Sequence, residues 1–362
     1  MLTQRLGEEM FELVVEPTGD VLEVKEGQTI LDTLLRSGIS IPYQCGHGLC
    51  STCKVTILEG EVDHGEASPF ALMDFERDEG VALACCATAQ SDIVIEAEID
   101  VDPDARIIPI QDFDAKVERV EKLTGDIIGI WLKLDKDLDF QAGQYINLQV
   151  PGVAQPRAFS IASSVSQSDL IELHVRYVPD GKATSFLHND LNIGDTLKAS
   201  GPFGRFFVRK SRTTPVMFIA GGSGLSSPKS MILDLLDTGF KQPIELFHGT
   251  RTAADVYDKE LFETLSSEHK NFSYTPVPFD ISDESGADWV GEHGALQDVI
   301  SQKFEGNFKN WTAYLCGPPG MIEVCIRALM QGRLFENDIF TEGFLTSAEA
   351  ETASKSKVFK RI

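Results

Sequence analysis

No stretch of this 362-residue chain is long and apolar enough to suggest a membrane span, since none reaches the ~18 consecutive residues one needs. The opening MLTQRLGEEMFELVV has no apolar core of the kind an export signal carries. Positive charge is scarce. There are 32 Lys and Arg against 56 Asp and Glu, a net charge of −24, which argues against nucleic acid as a partner. Internal repeats and low-complexity tracts are missing, so solenoid and fibrous architectures drop out. Cysteine numbers only 7; without an export signal that usage points to the reducing cytoplasm rather than to a disulfide framework.

What is present is enough apolar residue, 42%, to bury large cores, and a length that suits two or three domains. The acidic excess is uneven. Residues 1–110 hold 22 Asp and Glu against 6 Lys and Arg, a net of −16. Two readings stand for it: a solvated face serving solubility, or a surface that steers a partner with a basic patch.

The chain is organised around CGHGLCSTC at 45–53. Cys45, Cys50 and Cys53 are spaced C-x4-C-x2-C, and Cys85 follows 31 residues later. That is the plant-type spacing of a [2Fe–2S] cluster, in which one short loop must bring three thiolates around a small inorganic core. Gly46 and Gly48 free the loop backbone from Cβ clashes. Ser51, Thr52 and backbone N–H groups can donate to the sulfurs. A zinc site more often pairs two C-x2-C knuckles. Cys86 reads as a spare.

Phe11, Leu13 and Val15 alternate with acidic residues, and Leu22 and Val24 repeat the pattern after Gly19-Asp20, so two strands are expected. TILDTLLRSG puts Ile30, Leu31, Leu34 and Leu35 on one helical face, with Thr29 to cap and Gly38 to stop it. KVTIL and DIVIEAEI add strands, with acidic loops through Glu79 between them. Together they make a β-grasp ferredoxin module. Residues 99–110 lack periodicity and read as a linker. AKVERVEKL, IIGIWLKL, QYINLQV, LIELHVRY and TLKAS are short strands punctuated by turns, the signature of a small barrel. From Thr214-Pro215 strands alternate with helices: VMFIA, IELFHGT, FSYTPV and TAYLCG against SPKSMILDLL, DKELFETL and PGMIEVCIRALMQ. That is a parallel α/β sheet.

Two further constellations carry chemistry. In RAFSIAS, Arg157 suits a phosphate, Phe159 a flat ring and Ser160 a flavin nitrogen, although Arg-x-aromatic-Ser also occurs by chance in many strands. DGKATS at 180–185 has the composition of a diphosphate cradle, and taken alone is more simply a hydrophilic turn. GPFG at 201–204 closes the barrel. AGGSGLSSP (220–228) and CGPPGM (316–321) both join an apolar strand to a helix through glycines, at strand ends where nucleotides bind in α/β sheets. Neither is G-x-G-x-x-G. Cys316 by itself is more simply a small buried hydrophobe.

In this order the motifs resemble the ferredoxin–NAD(P)⁺ reductase superfamily with an N-terminal ferredoxin, the layout of reductase components of bacterial multicomponent oxygenases. GEASPFALMDFERDE, LACCA, LMQGRLFE and FKRI look most like those of multicomponent phenol hydroxylases. The resemblance covers essentially the whole chain. It implies a multidomain α+β and α/β fold: a [2Fe–2S] ferredoxin domain (1–102), a linker (103–111), a six-stranded antiparallel FAD-binding β-barrel (112–212) and a parallel-sheet NAD-binding α/β domain (213–362). It implies that Cys45, Cys50, Cys53 and Cys85 hold the cluster. Arg157, Ala158, Phe159 and Ser160 would contact FAD, His174, Val175 and Arg176 would line the flavin or its adenine, and Lys182, Ala183 and Thr184 the diphosphate. Gly222, Gly224, Gly317 and Pro318 would take the nicotinamide nucleotide. Ser160, Cys316 and Phe344 would flank the reacting rings, with Cys316 beside the nicotinamide and Phe344 covering the flavin. Gly343 in Glu342-Gly343-Phe344 departs from the Arg or Lys often seen there in the family.

The expected reaction passes electrons from NADH to FAD, then singly to [2Fe–2S] and on to a di-iron hydroxylase. A reductase of a toluene, methane or benzoate oxygenase and a redox-sensing flavoprotein are the alternatives. NADH is favoured over NADPH because Arg251 has no clustered basic neighbour, while Asp255 and Asp258 would repel a 2′-phosphate. A cytoplasmic monomer is expected, with neither membrane nor nucleic acid as partner.

Overall fold

Residues 10–44, 46, 48–99 and 102–344 are described by this computed structural model, and the chain divides into two units at Gln111 and Asp112. In the first unit the order is β1 (Met10–Glu16), β2 (Asp20–Lys25), α1 (Ile30–Arg36), β3 (Lys54–Glu59), β4 (Val62–Asp63), α2 (Asp74–Asp78), β5 (Val81–Leu83), β6 (Thr88–Ala89) and β7 (Ile93–Glu96). Five of the strands form one sheet, β2-β1-β7-β3-β5, in which β1 and β7 run parallel and the other neighbours antiparallel. Leu13 and Val15 point into the core from β1, as their alternation requires. From α1, Ile30, Leu31, Leu34 and Leu35 pack onto the sheet, and Thr29 Oγ1 accepts the Asp32 N–H at 3.2 Å to cap the helix. This is the β-grasp arrangement.

The acidic stretch before Glu79, expected as loop, contains α2. A five-residue helix with no buried residue leaves no 3.6-residue apolar period in the sequence. Residues 102–110 form neither helix nor strand, and they lie against α1: the Ile110 N–H bonds the Leu35 carbonyl at 3.4 Å.

The second unit begins with a barrel: β8 (Gln111–Lys122), β9 (Ile127–Leu134), β10 (Tyr145–Gln149), β11 (Arg157–Ser160), β12 (Leu170–Arg176), α3 (Lys182–Asn189) and β13 (Thr196–Phe203). The six strands run in the order β11-β10-β13-β8-β9-β12, and a single bridge between Ile161 and Leu173 joins the two edges, so the barrel is nearly closed. Its core holds Val117, Ile130, Leu132, Leu148, Ile171 and Leu173.

Then come β14 (Val216–Gly221), α4 (Ser226–Asp237), β15 (Ile244–Thr252), α5 (Lys259–Glu268), β16 (Phe272–Asp280), α6 (Leu296–Lys303), β17 (Thr312–Gly317), α7 (Pro319–Gln331) and β18 (Ile339–Gly343). All five strands are parallel in the order β16-β15-β14-β17-β18. β14 and β17 are buried along their whole length, hence their continuous apolar runs. β16, at the edge, carries Pro276 and Pro278. The strand order reverses between β14 and β17, which opens a crevice beyond their C-terminal ends.

Candidate active site and cofactor sites

That crevice is where the two glycine turns meet. Gly221 ends β14 and Gly317 ends β17, and Gly317 has φ +144, outside the range favoured by side chains. A Cβ on Gly224 would lie 2.3 Å from the Cys316 carbonyl oxygen, so only glycine lets the first turn close on the second. α4 starts at Ser226, with Pro228 in its first turn, and α7 starts at Pro319, both as the sequence suggests. Two helices thus begin at this crevice, where orphan N–H groups favour an anion.

Residues far apart in sequence converge on one carboxylate here. Glu342 Oε2 accepts from Ser227 Oγ at 2.8 Å and from Ser160 Oγ at 3.2 Å, and the Cys316 Sγ lies 3.7 Å away. Ser160 comes from the barrel, Cys316 and Glu342 from β17 and β18 of the parallel sheet, and Ser227 from the first turn of α4. Phe344 is tied in through its N–H, which bonds the Gly317 carbonyl at 3.0 Å. Burial pushes the Cys316 thiol well above its ordinary pKa, with Glu342 adding to the effect, so it stays an S–H. Burial also raises Glu342 to about 7, against hydrogen bonds from Ser227, Ser160 and Cys316 that favour the carboxylate. The sequence marked Glu342 only as the first residue of Glu-x-Phe; its partners lie 182, 115 and 26 residues away, beyond any local signal.

The sign of this shift gives a stability prediction. A carboxyl whose folded pKa is raised stabilises the fold fully below its unfolded value near 4.5, and that contribution is lost as pH rises to about 7. Glu342→Gln removes the titration. The melting temperature of the variant relative to the wild type is expected to climb between pH 4.5 and 7 and then level off. A flat difference in scanning calorimetry would show that the carboxyl titrates normally.

On the barrel, Phe159 is partly buried against the core, Ser160 is buried and Ala158 is exposed. Arg157 donates to the Gln155 and Pro156 carbonyls. Val175 is fully buried, Arg176 reaches Asp126 at 3.3 Å, and the His174 ring has no exposed surface. DGKATS, expected as a turn, opens α3: Gly181 is the N-cap, Lys182 is exposed, Ala183 is buried, and Thr184 Oγ1 accepts the Val178 N–H at 3.1 Å. Its N-terminal N–H groups beside Lys182 suit a diphosphate better than a plain turn would.

In the first unit Cys53 and Cys85 are buried, Cys50 is half-buried, and Cys45 lies outside the described residues. The Gly48 N–H donates to Cys85 Sγ at 3.2 Å, and Gly46, Gly48 and Ser51 all take positive φ as the loop folds over. This is a donor set of thiols with an N–H aimed at sulfur, which fits an iron–sulfur cluster. Cys86, expected as a spare, also faces inward, with its Sγ 3.7 Å from that of Cys85.

Glu172, His174 and Asp258 group in a way that resembles a metal site, with ligand-type atoms within 4.8 Å of one another. The Lys229 ammonium already sits among them, 2.9 Å from Glu172 and 2.8 Å from Asp258, and supplies the positive charge.

Three family matches follow the architecture: a 2Fe-2S iron-sulfur cluster binding domain over 13–90, an oxidoreductase FAD-binding domain over 114–208 and an oxidoreductase NAD-binding domain over 218–327. The chain is 52% identical over 353 residues to the phenol 2-monooxygenase reductase component DmpP of Pseudomonas sp. (strain CF600), spanning 97% of this chain and 99% of that protein. It belongs to the oxygenase reductase components. Another member, the phenol hydroxylase P5 protein of Acinetobacter pittii (strain PHEA-2), is 50% identical over the same shares of both chains. Among solved structures, the Amycolatopsis cytochrome P450 reductase GcoB superposes with a TM-score of 0.84 at 34% identity, covering 92% of this chain and 98% of that one. As an oxygenase reductase component the chain takes FAD, a [2Fe–2S] cluster and NADH.

Proposed function

We propose that this chain is the NADH-dependent iron–sulfur flavoprotein reductase of a phenol hydroxylase system, delivering electrons to a di-iron hydroxylase component. The observation that carries the reading is the meeting of Ser160 from the barrel with Cys316 and Glu342 from the sheet, at the end of the nucleotide crevice. Bound there, FAD would supply the exchange between the two-electron donor NADH and the one-electron [2Fe–2S] cluster. The protein's own part is placement. Ser160 and Glu342 fix polar atoms where the flavin edge would lie, the Cys316 thiol borders the nicotinamide, and Phe344 covers the ring. The α3 N-terminus with Lys182 holds the flavin diphosphate, while Arg157 to Ser160 and the strand from His174 to Arg176 line the rest. Gly222, Gly224, Gly317 and Pro318 take the nucleotide. Cys45, Cys50, Cys53 and Cys85 hold the cluster.

Arg251 supports NADH over NADPH, because Asp126 at 3.0 Å and Asp255 at 3.5 Å already engage its guanidinium. Their negative charge disfavours a 2′-phosphate. The domain bounds proposed are 1–102, 112–212 and 213–362, joined by 103–111. The protein acts as a cytoplasmic monomer, where NADH is available and thiols stay reduced.

Docking to the hydroxylase is assigned to the surface around α2. Ser51 Oγ bonds the Ala71 carbonyl at 2.8 Å and the Ser68 N–H bonds the Gly48 carbonyl at 3.0 Å, so this segment lies on the cysteine loop. It exposes Phe70, Met73 and Phe75 beside Asp74 and Asp78. Glu76 is not free for docking, because Lys54 holds it at 2.5 Å.

The test reconstitutes phenol hydroxylation with the purified hydroxylase and titrates salt. NADH-driven cytochrome c reduction should be steady, and NADPH should give a lower kcat/KM. Transfer to the hydroxylase should slow as the Debye length falls to about 3 Å at 1 M, while flavin reduction by NADH changes little. Absence of NADH-driven reduction defeats the reading. Salt-independent transfer leaves the acidic face to solubility.

A further inference from the structure

Between the barrel and the parallel sheet lies a buried ionic network that the reaction chemistry does not use. Glu172 and His174 come from β12, two residues apart and so on one face of the strand. Lys229 comes from the first turn of α4, and Tyr257 and Asp258 directly precede α5. Lys229 joins the two bodies, with Nζ 2.9 Å from Glu172 and 2.8 Å from Asp258. His174 Nε2 lies 3.0 Å from the same Glu172 oxygen. A carboxylate only accepts, so Nε2 carries the hydrogen and Nδ1 faces the Tyr257 hydroxyl at 3.1 Å.

The single Tyr257 O–H is shared between Nδ1 and the carbonyl of Gly222, which accepts it at 3.2 Å; Gly222 is the first residue of the glycine turn and has φ +53. A chain of polar contacts therefore runs from the barrel to the turn that closes on Cys316. The links among Glu172, His174, Lys229 and Tyr257 are buried, and those to Asp258 and Gly222 are part-buried. Burial favours a neutral Lys229, but Glu172 and Asp258 outweigh it and hold the ammonium above its ordinary pKa. Burial also keeps Tyr257 a phenol. His248 packs edge-on against Tyr257, with ring centroids 5.3 Å apart, and leaves the ring little freedom. Asp258 adopts φ +54, a conformation unfavourable for a residue with a side chain, and it persists because Lys229 and the start of α5 hold it.

We propose that Lys229 and Tyr257 are positioning residues that lock the Gly222–Gly224 turn to the barrel, presetting the nucleotide crevice against the flavin side. The idea rests on the nucleotide reading of that turn. The ordering cost of the turn is met on folding, and NADH then binds a formed site. Lys229→Met would strand the buried Glu172 and the part-buried Asp258, and such a variant can fail through misfolding alone.

Tyr257→Phe is the decisive variant, because it deletes one hydroxyl and keeps the ring. In the holoprotein we expect NAD⁺ to bind about tenfold more weakly by calorimetry, or about 1.4 kcal/mol. Amide exchange should quicken in the peptide covering 219–226. FAD content and cluster absorbance should stay at wild-type values, with only a small fall in melting temperature from the lost hydroxyl. Unchanged NAD⁺ affinity and unchanged exchange would overturn the proposal, as would parallel loss of FAD and melting temperature, which marks a merely structural residue. A wild type that binds no NAD⁺ would instead sink the nucleotide reading itself.

Discussion

Cys85→Ser is expected to abolish the visible absorbance and the paramagnetic signal of the [2Fe–2S] cluster while leaving FAD at full occupancy. Cys86→Ser should keep both. The two residues are neighbours with sulfurs 3.7 Å apart, so proximity alone does not choose between them. The choice rests on spacing and on the loop, since the Gly48 N–H points at Cys85 Sγ at 3.2 Å. Cys86 meets Gly48 differently: a Cβ on that glycine would lie 2.6 Å from the Cys86 sulfur, so Cys86 packs against the loop. FAD retention in both variants follows from the barrel's separate core. A cluster that survives in Cys85→Ser and is lost in Cys86→Ser would reverse the assignment.

The second large effect is expected at Gly224. Its added Cβ would meet backbone atoms, the Cys316 oxygen at 2.3 Å, the Cys316 carbon at 2.6 Å and the Gly317 Cα at 2.7 Å. Backbone in the middle of a parallel sheet cannot swing aside as a flexible side chain can, so the turn itself must shift. A displacement near 1 Å at such a site can cost about 10²-fold in rate. Gly224→Ala should slow flavin reduction by NADH in stopped-flow by about that factor, with FAD and cluster content preserved. Gly125→Ala provides the control, because nothing lies within 4 Å of its Cβ position. A wild-type rate in Gly224→Ala would mean that the two turns separate at little cost.

Much of this was legible in the sequence, for identifiable reasons. Strands such as IIGIWLKL coincide with β9 because burial on one or both faces leaves a pattern along the chain. PGMIEVCIRALMQ coincides with α7 because a proline start and an apolar stripe are both local. The misses were short elements. α2 has no buried face, and α3 begins inside DGKATS, whose glycine and lysine read equally well as a turn. At the site, motif residues at strand ends could be named in advance. The carboxylate joining Ser160, Ser227 and Cys316 could not, and neither could the salt links of Lys229, because both are products of tertiary folding. Cys45, expected as a cluster ligand, lies outside the described residues.

The prolines of β16 have a consequence for solubility. An outermost strand of a sheet offers a row of free N–H and C=O groups to any other extended chain, and this one also exposes Phe279. Pro276 and Pro278 remove two donors from it while its pairing with β15 stays in register, His248 opposite Pro276 and Thr250 opposite Pro278. The Pro278 carbonyl is taken by the Gly294 N–H at 2.8 Å, so the sheet can end here without inviting a further strand. An oxygenase reductase component works alongside a separate oxygenase component, and an edge closed to strand addition keeps it from pairing with its own copies instead.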